Sequence, residues 1–235
     1  MPEIQVLDWD TNFFGYKVGK ISLTNNDIDD FFDFQKSDFD LIYLFSEFNI
    51  NDNLLKKIGA KLQDIKIELI KDLDLKNNYL EQNGNVQLKE ITKFSVELYH
   101  LVLESGAHSR FKLDKHFVNN EFDLLYKAWI QNSLNDTNAK VIGAYINNEL
   151  LGFVSLSLKS GIADIGLIAV HEKARGNHIG KKLLESAYMY SIQNQSNYIT
   201  VVTQEFNKQA MLFYLNNGFI INKKTFIYHL WKKSN

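Results

Sequence analysis

Residues 163–184, ADIGLIAVHEKARGNHIGKKLL, constrain this chain more than any other stretch. Residues 164–170 have the apolar density of a strand covered on both faces. Arg175, Gly176, Asn177, His178, Ile179 and Gly180 then turn the chain. Residues 181–193 place Leu183, Leu184, Ala187, Tyr188 and Ile192 near helical spacing. Strand, glycine loop and helix in succession commit the chain to an α/β architecture with a mixed sheet. The same stretch reads as an anion cradle. Glycines let the backbone approach a ligand, and free N–H groups at a helix start point one way. Arg175, His178, Lys181 and Lys182 ring it with positive charge, which suits a diphosphate.

Around this stretch the pattern alternates strands and helices. Residues 16–23, 41–48 and 61–73 read as strands, 27–36 and 51–58 as helices, the latter stopped by Gly59. Residues 10–16, DTNFFGY, read as a turn carrying Phe13 and Phe14, which either line a pocket or plug the local core. Residues 72–87 are polar and asparagine-rich, which puts a domain boundary between a unit at 1–80 and a unit at 86–235. In the second unit, a strand at 86–90 precedes a helix capped by Thr92 and a loop at 105–118. An amphipathic helix at 120–134 and a hairpin turning at Asn147-Asn148 follow. Beyond the opening stretch come a strand at 198–204, a helix from Asn207 to a stop at Gly218, and closing strand structure at 219–231. Residues 54–69 and 213–228 echo each other as helix, glycine and long alternating strand, with Gly59 in the place of Gly218. The first unit therefore reads as a shortened copy of the second.

Composition mainly excludes. A formal charge of −2 supplies no basic field for nucleic acid, and the absence of cysteine removes disulfides, thiol nucleophiles and thiolate metal sites. No apolar run reaches the ~20 residues of a membrane span, and residues 1–10 lack a signal-peptide core, so a cytoplasmic protein with no membrane partner is expected. His100, His108 and His116 recur at intervals that give no helix-face pair, so no metal is expected.

The order strand, Arg175-Gly-x-x-Ile-Gly180 loop, helix, strand, then Asn207-x6-Tyr214-x3-Gly218-Phe219 resembles the GNAT superfamily of acyl-CoA-dependent N-acyltransferases over residues 86–231. His178 departs from the glycine common in that loop. The segments at 8–15, 109–111 and 128–130 further resemble the TDP-fucosamine acetyltransferase subfamily, in which a truncated GNAT-like domain precedes a complete one. The resemblance implies acyl transfer, most simply of acetyl, from acyl-CoA to the amine of a dTDP-linked amino-dideoxysugar in surface-polysaccharide synthesis. It implies acyl-CoA as co-substrate, small molecules as the partners, and late strands that often pair across a homodimer.

Residue roles follow from that resemblance. CoA falls to Arg175, Gly176, Asn177, His178, Ile179, Gly180, Lys181 and Asn207. The pantetheine rail falls to Ile168, Ala169 and Val170, where a backbone N–H can face the oxyanion. Tyr214 matches the family's general acid; its other reading is a core tyrosine. No base is decisive. Glu205 is one candidate, His171-Glu172 and His108 are others, and a water chain also serves. Acceptor contacts fall to Phe13, Phe14, His108 and Arg110. Arg110 either holds a diphosphate bidentately or is a surface ion-pair residue. Three alternatives stay open: a longer acyl donor, another small amine, and a non-catalytic acyl-CoA-binding module.

Overall fold

The computed structural model describes residues 4–23, 37–74, 85–159 and 161–232. The helix expected at 27–36 and most of the boundary expected at 72–87 lie outside them. The first part runs β1 (Gln5–Val6), α1 (Asp8–Phe14), β2 (Val18–Leu23), β3 (Leu41–Ser46), α2 (Asp52–Ile58) and β4 (Ala60–Asp72). Next come β5 (Gln87–Glu90), α3 (Val96–Ser105), α4 (Arg110–Leu113) and α5 (Glu121–Asn135). The hairpin β6 (Ala139–Ile146) and β7 (Glu149–Lys159) leads to β8 (Ile162–Val170), α6 (Ile179–Gln193), β9 (Tyr198–Gln204), α7 (Lys208–Asn216) and β10 (Ile220–Trp231).

Local chemistry sets most of these ends. Asn51 caps α2 by accepting the Asn53 N–H, and Gly59 closes it at φ 76°. Asn147 and Asn148 both take positive φ, the geometry of a tight two-residue hairpin turn. Asn207 caps α7 by accepting the Ala210 N–H at 3.1 Å. Three expectations need correcting. Residues 8–14 are helical rather than a turn, with Gly15 supplying the left-handed cap. Ser95, not Thr92, caps α3, because its Oγ lies 3.2 Å from the Leu98 N–H. The stretch at 105–118 is not a plain loop: Ser109 caps the one-turn α4 within it.

One ten-stranded sheet carries the molecule, in the order β1-β2-β3-β10-β4-β9-β8-β7-β6-β5. Among the described residues, only β2–β3 and β8–β9 pair in parallel. The order interleaves the two parts of the sequence. β10, the last strand, sits between β3 and β4, while β4 completes the row that continues through β9 and β8. Ile65, Ile67 and Leu69 of β4 pack with Leu183, Ala187 and Tyr214 of α6 and α7. On the opposite face, Leu41 and Tyr43 of β3 share a core with Leu98 and Val102 of α3 and with Phe122 and Ile130 of α5. A third core lies beneath α2, around Ile42, Leu44 and Tyr228.

Candidate functional site

β8 and β9 hold together only from Ile162 opposite Tyr198 to Ile165 opposite Val201. Beyond that pair they part, and a cleft of about 940 Å³ opens between Gly166–Val170 and Val202–Gln204. This corrects the expectation that residues 164–170 are covered on both faces, since the half of β8 beyond Ile165 is only partly buried. A bulge helps to aim it. β7 and β8 shift register between Val154 and Leu156, and Ser155 Oγ accepts the Leu167 N–H at 2.8 Å. On the cleft side, alternate backbone groups of Ile168, Ala169 and Val170 have no strand to pair with.

At the wide end of the cleft stands the start of α6. Gly176 (φ 82°) and His178 (φ 58°) both adopt left-handed backbone. His178 is exposed at the cleft rim, and its backbone takes the left-handed conformation that glycine adopts without cost. No side chain caps α6, which leaves its first N–H groups facing the cleft. Gly180 lets α7 come close, for a Cβ there would meet the Phe213 ring at 3.2 Å. Arg175 spans the rim, its Nε on the Val170 carbonyl at 3.1 Å and its guanidinium 3.4 Å from Glu104. An uncapped helix start, a loop with glycine at 176 and 180, and a cationic rim fit a CoA diphosphate.

The structure brings Ile168, Ala169, Val170, Arg175, Gly176, His178, Ile179, Gly180, Lys181, Asn207 and Tyr214 onto this one cleft, with Arg110 on its far wall. Tyr214 is 3% exposed, between the rings of Phe213 and Phe219. Burial pushes its phenol well above the ordinary tyrosine range, so it stays a proton donor at any physiological pH. Arg110 lays its guanidinium 4.3 Å from the Phe111 ring centre, and its buried Nε has no hydrogen-bond partner.

Several candidates fall elsewhere. Asn177 is exposed and outside the cleft lining. Phe13 and Phe14 are partly buried in an aromatic cluster with Trp9, Tyr16, Phe111 and Phe117 and do not line this cleft. His108 is exposed and away from the lining, and His171 caps the turn at Glu172–Ala174. Glu205 is also off the lining, its carboxylate 2.6 Å from Lys224 Nζ. Two carboxylates line the cleft: Glu104, paired with Arg175, and Asp64 of β4, beside Lys66. Sequence reasoning passed over Asp64 inside an apolar strand. The signal was a break in phase, from Leu62 to Ile65 in a strand otherwise stepping by two. A bulge stands there: Leu62 opposes Tyr228 and Asp64 opposes Ile227, with Gln63 extra. Among the described residues, no three histidine or acidic side chains gather as a metal site would need.

Residues 106–219 match the acetyltransferase (GNAT) family. Over that segment the chain is similar to the GNAT acetyltransferases. The segment runs from the end of α3 through α7 and stops before β10. Among solved structures, a conserved protein of unknown function from Staphylococcus epidermidis superposes with a TM-score of 0.57 at 14% identity, over 91% of this chain and 83% of its own. A tandem GNAT protein of the clavulanic acid biosynthesis pathway gives 0.54 at 17%, over 84% of this chain and 66% of its own. A GCN5-related N-acetyltransferase from Sphaerobacter thermophilus gives 0.56 at 12%, over 83% of this chain and 61% of its own. At these identities the likeness is one of fold. No curated protein matches the chain. The GNAT fold here is mixed α/β, and the echo of α2–Gly59–β4 in α7–Gly218–β10 is consistent with a tandem arrangement.

Proposed function

We propose that this chain moves an acyl group, acetyl in the simplest case, from acyl-CoA to the primary amine of a small acceptor. The observation that carries the reading is the parting of β8 and β9 in front of the uncapped start of α6, with Tyr214 on the same cleft. The α6 start, Arg175 and Lys181 hold the diphosphate, and the free edge of Ile168–Val170 pairs with the pantetheine amides. The neutral amine attacks the thioester carbonyl and forms the C–N bond. A backbone N–H of that edge stabilises the oxyanion. As the C–S bond breaks, the Tyr214 hydroxyl gives its proton to the leaving thiolate, and the phenolate recovers one as the new amide nitrogen loses its own.

For the acceptor, we take the dTDP-linked amino-dideoxysugar indicated by the sequence. Arg110 supports it, as a guanidinium facing the cleft with a donor to spare for a diphosphate. The division of the chain into a truncated GNAT-like unit at 1–80 and a catalytic unit at 86–235 belongs to the same proposal. Mass spectrometry of products from dTDP- and UDP-amino sugars, each with several acyl-CoAs, tests it. One acetyl added to the sugar amine is the expected result. Acylation of peptides or polyamines alone would remove the nucleotide sugar, and acyl-CoA binding without transfer to any amine would leave a binding module.

A further inference from the structure

The cleft wall supplied by β4 has no part in the chemistry above. In β4 the odd positions Ile65, Ile67 and Leu69 enter the core under α6 and α7, so Asp64 and Lys66 turn to the opposite face. Lys66 pairs with Gln204 at the last step where β4 and β9 run together, and Asp64 lies just past it, beside the opening between β9 and β8. Its side chain is 96% removed from solvent by the fold (4% exposed), yet Oδ1 has no hydrogen-bond partner. A buried carboxylate oxygen left unpaired, on the wall of a cleft, is placed to receive a donor from whatever enters.

We infer that Asp64 is the base that takes the proton from the acceptor's ammonium, so that the nitrogen lone pair is free to attack the thioester. The inference rests on the proposed N-acyl transfer. In this step one ammonium N–H bond breaks and one carboxyl O–H bond forms. The proton leaves to solvent once the amide has been released. The surroundings suit the task. Burial raises the Asp64 carboxyl to about 6, while the positive charges of Arg110 on α4 and Lys66 on β4 pull the other way. Tyr126 of α5 also faces it and stays protonated, its phenol raised by burial. A carboxyl at that position is mostly ionised at neutral pH, and a stronger base than an ordinary aspartate. Asp64 lies outside the GNAT segment at 106–219, so the first part of the chain supplies a group that touches the reacting amine.

The test uses the full chain, acetyl-CoA, and a dTDP-4-amino-4,6-dideoxyhexose as probe, with free thiol and acylated product both measured. The wild type should lose kcat/KM below about pH 6, with a slope of one proton. Asp64→Asn should lower kcat about a hundredfold or more and remove that limb, while calorimetry gives a Kd for acetyl-CoA within about threefold of wild type. Asp64→Glu should recover part of the rate and the limb. A D64N protein that binds acetyl-CoA normally and turns over within about threefold of wild type overturns the inference. Carbon-13 NMR of aspartate-labelled wild-type protein, in its acetyl-CoA complex, reads the same carboxyl without any acceptor, the resonance being assigned by its loss in Asp64→Asn. Titration near 6 is expected, and titration near 4 overturns the role of Asp64. A wild type that acylates no amine, with that carboxyl still titrating near 6, counts against the proposed N-acyl transfer instead.

Discussion

Asp114 accepts hydrogen bonds from three rings. Its Oδ2 lies 2.6 Å from His229 Nδ1 and 2.8 Å from Trp231 Nε1, and its Oδ1 lies 2.8 Å from His116 Nδ1. Burial alone would raise this carboxyl, but the bonds from His229, Trp231 and His116 outweigh it and hold it below the ordinary range. Burial also lowers the His229 imidazole to about 4, so the ring is neutral at pH 7 and donates through Nδ1. Both groups take up protons more readily when unfolded. The His229 contribution is complete above about pH 6.5 and fades as pH falls toward 4, and that of Asp114 fades below about 4. Asp64, raised to about 6, takes up its proton more readily when folded and offsets His229 over that range, so denaturant titrations should show the main loss of stability below about pH 4, where Asp114 is protonated in the unfolded chain. Asp114→Asn leaves ring donors facing a weaker acceptor inside the core. It should lower unfolding free energy by about 3 kcal/mol at pH 7.5, read as a lower urea midpoint at unchanged slope. Tyr214→Phe keeps the packing between Phe213 and Phe219 and removes the donor. Turnover should fall by about tenfold to a hundredfold, while the calorimetric Kd for acetyl-CoA stays within about twofold. Unchanged turnover would leave Tyr214 as a core residue only.

Element by element, the strand–loop–helix around residues 163–184 was readable in the sequence because each of its parts is local. Apolar density marks β8, glycines mark the loop, and the spacing of Leu183, Leu184 and Ala187 marks α6. The αL residue at His178 was readable as a departure, and the structure shows its φ of 58°. His178→Gly should relieve that geometry and raise unfolding free energy by about 0.5 kcal/mol, net of the added freedom of the unfolded chain. A thermal melt measures the gain, and acetyl-CoA should bind at least as tightly. What resisted reading was anything decided by a distant element. Phe13 and Phe14 look like ligand contacts until Phe111 and Phe117 arrive from 100 residues away to stack on Phe14. Glu205 looks like a base until Lys224 claims it. Asp64 looks like an interruption in a core strand until β9 leaves β8 and opens a cleft beside it. Periodicity reports which face a side chain takes, but not what that face meets.

For the whole molecule, the echo of α2–Gly59–β4 in α7–Gly218–β10 was legible, but the exchange of the two long strands was not. Nothing in a strand's own residues says whether its neighbour comes from the same part of the chain. With β10 paired to β3 on one side and β4 on the other, neither part holds its own complete sheet. A fragment spanning residues 86–235 would present the edge of β9 and both edges of β10 without partners. It should aggregate or remain unfolded when expressed alone. Co-expression with residues 1–85 should restore a soluble complex that binds acetyl-CoA, as size-exclusion chromatography with calorimetry would show. A soluble, acetyl-CoA-binding 86–235 fragment would mean that β4 is dispensable to the sheet. The position of β10 also sets an order in time. The strand that fills the fourth place in the sheet is translated after both of its neighbours, so β3 and β4 emerge from the ribosome long before the segment that joins them. During synthesis the growing chain carries two open edges at its centre, and the gap can close only after residues 220–231 have left the ribosome tunnel. The time β3 and β4 spend unjoined, and the presence of a holdase at the tunnel exit, should then govern the yield of this protein more than the strength of any one contact in its core.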